Sequence, residues 1–476
     1  MRIYTDLLCP VIADAVQTLL DFASGPLFAE KFALAFETPA PSLAAFRSAL
    51  AQLPDVEVLA DEILEGALGA FSAQTGKIYL SESAVNGDSR RLQAILFEEI
   101  GHYLDSVFNP QDATGDEGEL FSAVVRGVSF SAAELSRIKA EDDYGIMSLG
   151  GQFITIERSA PTILTVTTTA DQNNGVTTDG LSLREAILIA NANPNTDYEI
   201  RLTGGLTYNL TANGINENAG FTGDLDIASR NNILYIVSVG TQKATINASN
   251  LLNSDRVFDV QTNGRLSLQN VVITGGLVGN FQDGGGIYVG STGFLDLYNT
   301  TVSNNSAGDD GGGIYNFGTT YLRNGSIISD NSANGGGGIF NNSGTLTIMD
   351  STINNNSASG SGGGIVNNGI ILLVINSTIS NNTSTLGGGG IQNTVASSVA
   401  LINTTISGNS SGDGGGINNG DGVLNVRNST ITNNTAYDWF WSSAGGGITN
   451  GSGTVNLRNT IVAGNFRALD SEGNNL

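Results

Sequence analysis

The chain is short of most of the residues that usually carry chemistry. Its 476 residues include one cysteine, Cys9, and one histidine, His102. A lone cysteine excludes an internal disulfide. A lone histidine excludes a two-histidine zinc site built within one subunit. Positive charge is scarce as well. Twenty Lys and Arg against 45 Asp and Glu leave a formal charge of -25, which repels phosphate backbones and anionic lipid surfaces, so no nucleic-acid or membrane-surface partner is expected. No apolar run reaches roughly 18 residues, so no transmembrane segment is expected. Met1–Gly25 carries Asp6 and Asp14 within its apolar stretch and reads as a helix of the mature fold, with no classical signal peptide. Between Ala244 and Ser471 there is neither Glu nor Lys, which ordinary helical surfaces require.

What fills that second part is glycine, asparagine, serine and threonine in a fixed period. Gly-Gly-Gly-Ile recurs seven times, with its isoleucine at Ile287, Ile314, Ile339, Ile365, Ile391, Ile417 and Ile448. Successive gaps are 27, 25, 26, 26, 26 and 31 residues. A period of this size means one small unit stacked on copies of itself. Each unit reads Gly-Gly-Gly-Ile-x-Asn, an apolar strand, then Thr-Ile-x-x-Asn. Three strand segments and three turns per unit suit a parallel β-helix of about 26 residues per coil. At about 4.8 Å per coil, some eleven coils make a rod on the order of 50 Å long.

Asparagine recurs in three rows. One row is Asn316, Asn341, Asn367, Asn393, Asn419 and Asn450. Another is Asn299, Asn324, Asn376, Asn403, Asn428 and Asn459, with Asp350 in the gap. The third is Asn305, Asn331, Asn356, Asn382, Asn409 and Asn434. Stacked amides donate and accept along the rod axis, which accounts for the rows without invoking glycosylation of their sequons. The glycines suit turns that need positive φ and close backbone approach.

Ahead of the repeats, Leu181-Ser182-Leu183-Arg184-Glu185-Ala186 resembles the C-S-L-R-E-A motif that opens many bacterial right-handed parallel β-helix surface proteins. These have a pectate-lyase-like fold and include relatives of polymorphic outer-membrane proteins. Leu181 stands where the motif has cysteine. The resemblance implies a cap on the first coil and an extracellular or cell-surface location by an export route that is not visible. Ser182 and Glu185 have the spacing of a capping box on a helix over Leu183–Ala192. The last segments, Thr460–Asn465 and Ser471–Leu476, resemble closing coils of that family, which normally continue further, so the array reads as incomplete at its C-terminus.

The first 160 residues are different in kind. Helical spacing covers Val11–Phe22, Leu43–Leu53 and Val58–Ala67, a strand covers Gly76–Ser81, and a longer helix runs from Arg90 to about Val107. Another helix opens at Asp116 and ends near Arg126. On the long helix Glu98 and His102 share a face, with Glu99 beside them. This stretch, about 75–125, resembles the H-E-x-x-H helix of zincin metallopeptidases, with an edge strand before it and with Glu98 in place of the first histidine. The resemblance implies a divalent metal ion, zinc or another, held by Glu98, His102 and Glu119, with Glu117 or Asp116 as substitutes and Glu99 as general base. Two carboxylates and one imidazole are harder than zinc prefers. The other reading makes His102 an ordinary helix-face residue and the glutamates solvated.

The chain thus divides into an α-rich α+β domain at 1–160, a cap and first strands at 161–215, and right-handed parallel β-helix coils at 216–476. Three departures from the repeat invite a function. Asp283, Asp309 and Asp310 sit before successive glycine triplets, either as a calcium site or as an acidic solvated loop. Tyr437, Trp439 and Trp441, with Asp438, lie in the longest gap, either to stack on sugars or to plug the rod. Glu and Lys are missing from every regular coil, so no glycosidase or lyase constellation is apparent there. The expected function is a surface-exposed or secreted adhesin-like rod that contacts glycans or other cell-surface components, carrying a degenerate peptidase-like domain. An active metallopeptidase with a targeting rod and a carbohydrate-binding or polysaccharide-degrading rod are the alternatives.

Overall fold

The structure, a computed structural model, describes all residues except 1, 61–62, 65–66, 86–88, 110–115, 129–134, 137, 140–143, 150–151, 160–161, 176–178, 195, 197, 215–216, 231, 253, 395–396, 438–443 and 468–476. It separates into two units, Met1–Pro161 and Thr162–Leu476.

The first unit combines helices α1 (Arg2–Ala23), α2 (Phe28–Phe36), α3 (Leu43–Leu50), α4 (Glu82–Val85), α5 (Ser89–Phe108) and α6 (Glu117–Val125) with a five-stranded sheet. The strands are β1 (Asp55–Leu59), β2 (Gly69–Ser72), β3 (Lys77–Ser81), β4 (Tyr144–Leu149) and β5 (Gln152–Ser159), in the order β1-β3-β2-β5-β4. Only the β1–β3 pair is parallel. A phenylalanine cluster holds the helices together: Phe32 lies 4.6 Å from Phe36 and 6.3 Å from Phe46, and Phe36 lies 5.0 Å from Phe121. Helices α5 and α6 cross closely at two glycines. A β-carbon on Gly101 would lie 3.0 Å from the Gly118 Cα.

Two sequence readings need correction here. The helix expected over Val58–Ala67 is a strand at its start, because Asp55-Val56-Glu57-Val58-Leu59 alternates and pairs with Lys77–Ser81, where Lys77 Nζ meets Glu57 at 2.8 Å. The strand expected at an edge, β3, is interior, between β1 and β2. Helix α2 was not expected at all.

The second unit is a right-handed parallel β-helix, so the fold class is the one expected. Sheets of 11, 10 and 9 strands run its length, and each strand pairs with its equivalent in the next coil. The seven repeat isoleucines stack in register from Ile287 to Ile448. From Ile287 to Ile417 they are fully buried in one continuous core with the leucine and valine rows of the other two sheets. Each such side chain contributes on the order of 2 kcal/mol by leaving water. A fourth, six-stranded sheet of two-residue strands, from Ser332–Ala333 to Phe466–Arg467, adds a ladder that the sequence period did not reveal.

The glycine triplets carry the hydrogen-bond ladder through the turn: Gly285 N donates to Gly311 O and Ile287 N to Gly313 O. A β-carbon on Gly313 would lie 2.6 Å from the Gly338 carbonyl one coil on, so a larger residue does not fit. Two of the asparagine rows are buried ladders. Asn316 donates to Asn341 at 2.7 Å, and Asn331 donates to Asn356 at 3.0 Å. The remaining row, Asn299 to Asn459, occupies left-handed turn positions with φ near +50°, where asparagine is tolerated.

Helix α7 (Leu183–Ala192) begins with the expected capping box: the Ser182 hydroxyl accepts from Glu185 N, and the Glu185 carboxylate accepts from Ser182 N. Its apolar face, Leu183, Ala186, Ile187 and Ala190, joins the rod core. Arg184 is buried, paired with Asp171 at 2.7 Å, and donates to the carbonyls of Gly220, Gly223 and Asp224. These contacts are those of a structural residue.

Candidate functional site

In the first unit His102 is fully buried on α5. Its Nδ1 lies 2.9 Å from Glu117 and 3.2 Å from Glu157, and its Nε2 lies 3.9 Å from Asp116. Asp116 caps α6 by accepting from Glu119 N, which aims the start of α6 at the imidazole. Glu157 arrives on β5, where it pairs with Phe71 of β2. Burial opposes charging of the imidazole, but the hydrogen bonds that Glu117 and Glu157 accept from it and the charges of Glu117 and Asp116 outweigh that, holding the His102 pKa well above its ordinary value.

Two donor groups have atoms within 4.8 Å of one another: Glu98 with His102 and Asp116, and His102 with Glu117 and Glu157. Glu98 and His102 therefore come together as expected. Glu119, on the half-buried side of α6, belongs to neither group. Glu99 is fully buried against β2, where a β-carbon on Gly69 would lie 2.4 Å from its Oε1. Sequence reasoning missed Glu157, which lies 55 residues beyond His102 and reaches it only through sheet pairing.

On the rod, the second residue of each strand of the nine-stranded sheet points outward between two inward-facing ones. Register makes these a column: Tyr288 opposite Tyr315, then Phe340, Val366 and Gln392. Rings one coil apart stack. Tyr288 and Tyr315 are 5.3 Å apart and tilted by 6°, and Tyr315 and Phe340 are 5.6 Å apart and tilted by 11°. The Arg256 guanidinium covers the far side of the stack, 5.1 Å from the Tyr288 ring centre.

The stack stops where Val366 replaces an aromatic ring, and a cavity of about 390 Å³ opens there. Phe340, Val366 and Leu386 give it an apolar floor, and Asp310, Asn334, Asn368 and Gln392 are among its polar walls. Gly335 keeps the Asp310 side open, since a β-carbon there would lie 2.5 Å from Asp310 Oδ1 and 3.2 Å from the Phe340 ring. The signal for this site was present in the sequence, as the unassigned x of Gly-Gly-Gly-Ile-x-Asn.

Asp283, Asp309 and Asp310 come within reach of one another, with ligand atoms within 4.8 Å. Asp310 N donates to Asp283 Oδ1 at 3.1 Å. Burial first, and the charges of Asp309 and Asp283 second, push the Asp310 carboxyl up to about 7. Of the aromatic loop, Tyr437 is exposed and its N–H donates to Ser411 O at 2.7 Å. Trp439 and Trp441, with Asp438, lie outside the described residues.

Residues 299–316 match the Chlamydia polymorphic membrane protein repeat. They span the turn at Asn299, the glycine triplet and the strand ending at Asn316. None of the curated proteins matches the chain. Among solved structures, the crystal structure of pectate lyase Pel9A is similar at 14% identity and a TM-score of 0.33, covering 66% of this chain and 81% of that one. No helix among the described residues is long and apolar enough to cross a membrane. The rod is thus a parallel β-helix repeat array whose unit is similar to the polymorphic membrane protein repeat.

Proposed function

We propose that this protein is a surface-exposed or secreted, adhesin-like rod that holds one sugar residue of a glycan in the cavity beside Phe340. The observation that carries this reading is the abrupt end of the aromatic stack, where Phe340, Val366 and Leu386 form an apolar floor with carboxamide and carboxylate groups around it. A sugar presents the same pattern, an apolar C–H face and a ring of hydroxyls. Among the described residues the walls offer Asp310 as their single carboxylate. Glycoside hydrolysis uses a pair, so the lining supports binding without hydrolysis.

The test is glycan binding by the whole chain, by Phe340→Ala and by Val366→Trp, which fills the cavity. Binding by the native chain that both variants lose is the expected result. Retention of full affinity by Val366→Trp would remove the cavity from the reading. Secretion of a tagged protein tests the location, and retention in the cytosol contradicts it.

The zincin-like first unit is read as an inactive relative. Its donor set supplies one imidazole, and the position of the second is Glu98. The carboxylates gathered around His102 can satisfy a protonated imidazole without a metal ion, so no hydrolytic step is assigned to it. Metal content of the purified protein and of His102→Ala, together with cleavage of an unfolded protein substrate, is the check. Stoichiometric zinc with cleavage that His102→Ala abolishes contradicts an inactive unit.

A further inference from the structure

Two coils before the aromatic stack, the same outward column continues as acid: Asp226 pairs directly with Asp259, and Asp259 with Tyr288. Asp224 lies two residues before Asp226 on the same short strand (Leu225–Ile227) and its approach. Ligand oxygens of Asp224, Asp226 and Asp259 all lie within 4.8 Å of one another. Like charges opposed across a strand pair are unfavourable, so the arrangement calls for a counter-charge.

The protein supplies only part of it. Arg256 Nη1 pairs with Asp259 at 3.0 Å, and its Nε is 3.8 Å from Asp224. Asp255 adds a further carboxylate, bonded to the Arg256 N–H at 2.9 Å. Arg184 is occupied by Asp171 and by backbone carbonyls. Asp226 itself is only 1% exposed, and its Oδ1 side receives the Gln261 amide at 2.8 Å. The Gly220 N–H approaches the same carboxylate, but Oδ2 is buried and has no partner at hydrogen-bond geometry. A buried carboxylate oxygen left without a donor costs free energy that a bound cation would recover.

We propose that Asp224, Asp226 and Asp259 form a binding site for a divalent cation of the calcium type. All the donors are carboxylate oxygens, with no imidazole or thiolate, which selects a hard cation over zinc. Calcium accepts irregular sets of oxygens at about 2.3–2.6 Å, whereas magnesium demands a near-ideal octahedron and keeps much of its water, so three carboxylates fixed by the coils suit calcium better. The site lies beside the segment 220–224, whose carbonyls anchor Arg184 of the α7 cap. A bound ion therefore fastens the first coils to the helix that covers them.

The experiment uses the full chain, stripped with chelator and titrated with calcium or magnesium during thermal unfolding. Terbium(III) serves as a calcium-sized luminescent probe excited through Tyr288. We expect calcium to raise the melting temperature more than magnesium does. The isosteric Asp226→Asn should lose that rise while Asp310→Asn keeps it, which separates this site from the Asp283–Asp309–Asp310 cluster. Terbium luminescence should fall in Tyr288→Phe, which keeps every carboxylate, and persist in Asp310→Asn, which excludes the Asp283 cluster that also lies near Tyr288; this pair remains informative if Asp226→Asn fails to fold. An unchanged calcium response in Asp226→Asn, or no calcium response and undiminished terbium luminescence in Tyr288→Phe, overturns the proposal.

Discussion

Gly118 lies so close to His102 that a β-carbon on the glycine would sit 2.4 Å from Nε2. The imidazole cannot retreat, because Glu117 and Glu157 hold its other nitrogen and the ring is fully buried. Gly118→Ala should therefore destabilise the first unit by about 1–3 kcal/mol through overpacking. Hydrogen exchange of the α5 amides in the full chain measures this. Protection equal to that of the native chain would show that α6 can shift away at little cost.

The same cluster makes a pH prediction. The folded pKa of His102 is raised, so its contribution to stability is fully present below the unfolded value of about 6.5 and is lost as pH rises through the folded value. Amide protection in α5 should fall on going from pH 6 toward alkaline pH, and His102→Gln should flatten that dependence. A native chain with protection independent of pH would contradict the ion cluster.

Asp310 has the opposite chemistry and the same direction. Its carboxyl is raised to about 7, so the folded state binds a proton more readily than the unfolded chain, and stability declines as pH rises from about 4 to 7. Asp310→Asn should be more stable than the native chain at pH 8 and equal to it near pH 4. The gain is on the order of 1 kcal/mol, because the half-exposed group is screened by solvent. Calcium-free thermal unfolding at the two pH values checks it, and a lower melting temperature for Asp310→Asn at pH 8 would count against the burial argument.

The asparagine ladder should be sensitive in its middle. Asn356 Oδ1 accepts from both the Asn331 side chain and the Asn331 backbone, and its Nδ2 donates to Asn382 and to the Ile328 carbonyl. Asn356→Leu strands these groups in a buried row, for a loss of about 2–4 kcal/mol in urea unfolding of the rod. The same change at exposed Asn456 should cost less than about 0.5 kcal/mol.

Much of the rod was legible in the chain, because its period encodes register directly. Once Gly-Gly-Gly-Ile stacks on itself, the core rows and both buried amide ladders follow. The capping box of Ser182 and Glu185 was legible for a similar reason, being a contact between residues three apart. Where no repeat sets a frame, reading failed. The strand Asp55–Leu59 passed for part of a helix, since a short apolar run has no period of its own and its partner lies 22 residues on. The two-residue strands of the fourth sheet are too short to show any alternation.

What the sequence determined by itself, then, is the parallel β-helix, because hydrophobic period, glycine conformation and amide stacking are local properties repeated coil after coil. Tertiary structure alone decided the meetings of acids that no repeat or helix spacing frames. Glu157 reaches His102 through antiparallel pairing, and Asp226 faces Asp259 through a register set in coils that lack the glycine frame. The cavity lies between these cases. Its residues stand in plain order in the repeat, but a hollow exists only because stacking puts small Val366 next to Phe340, and side-chain volume across coils is a property of the packed array.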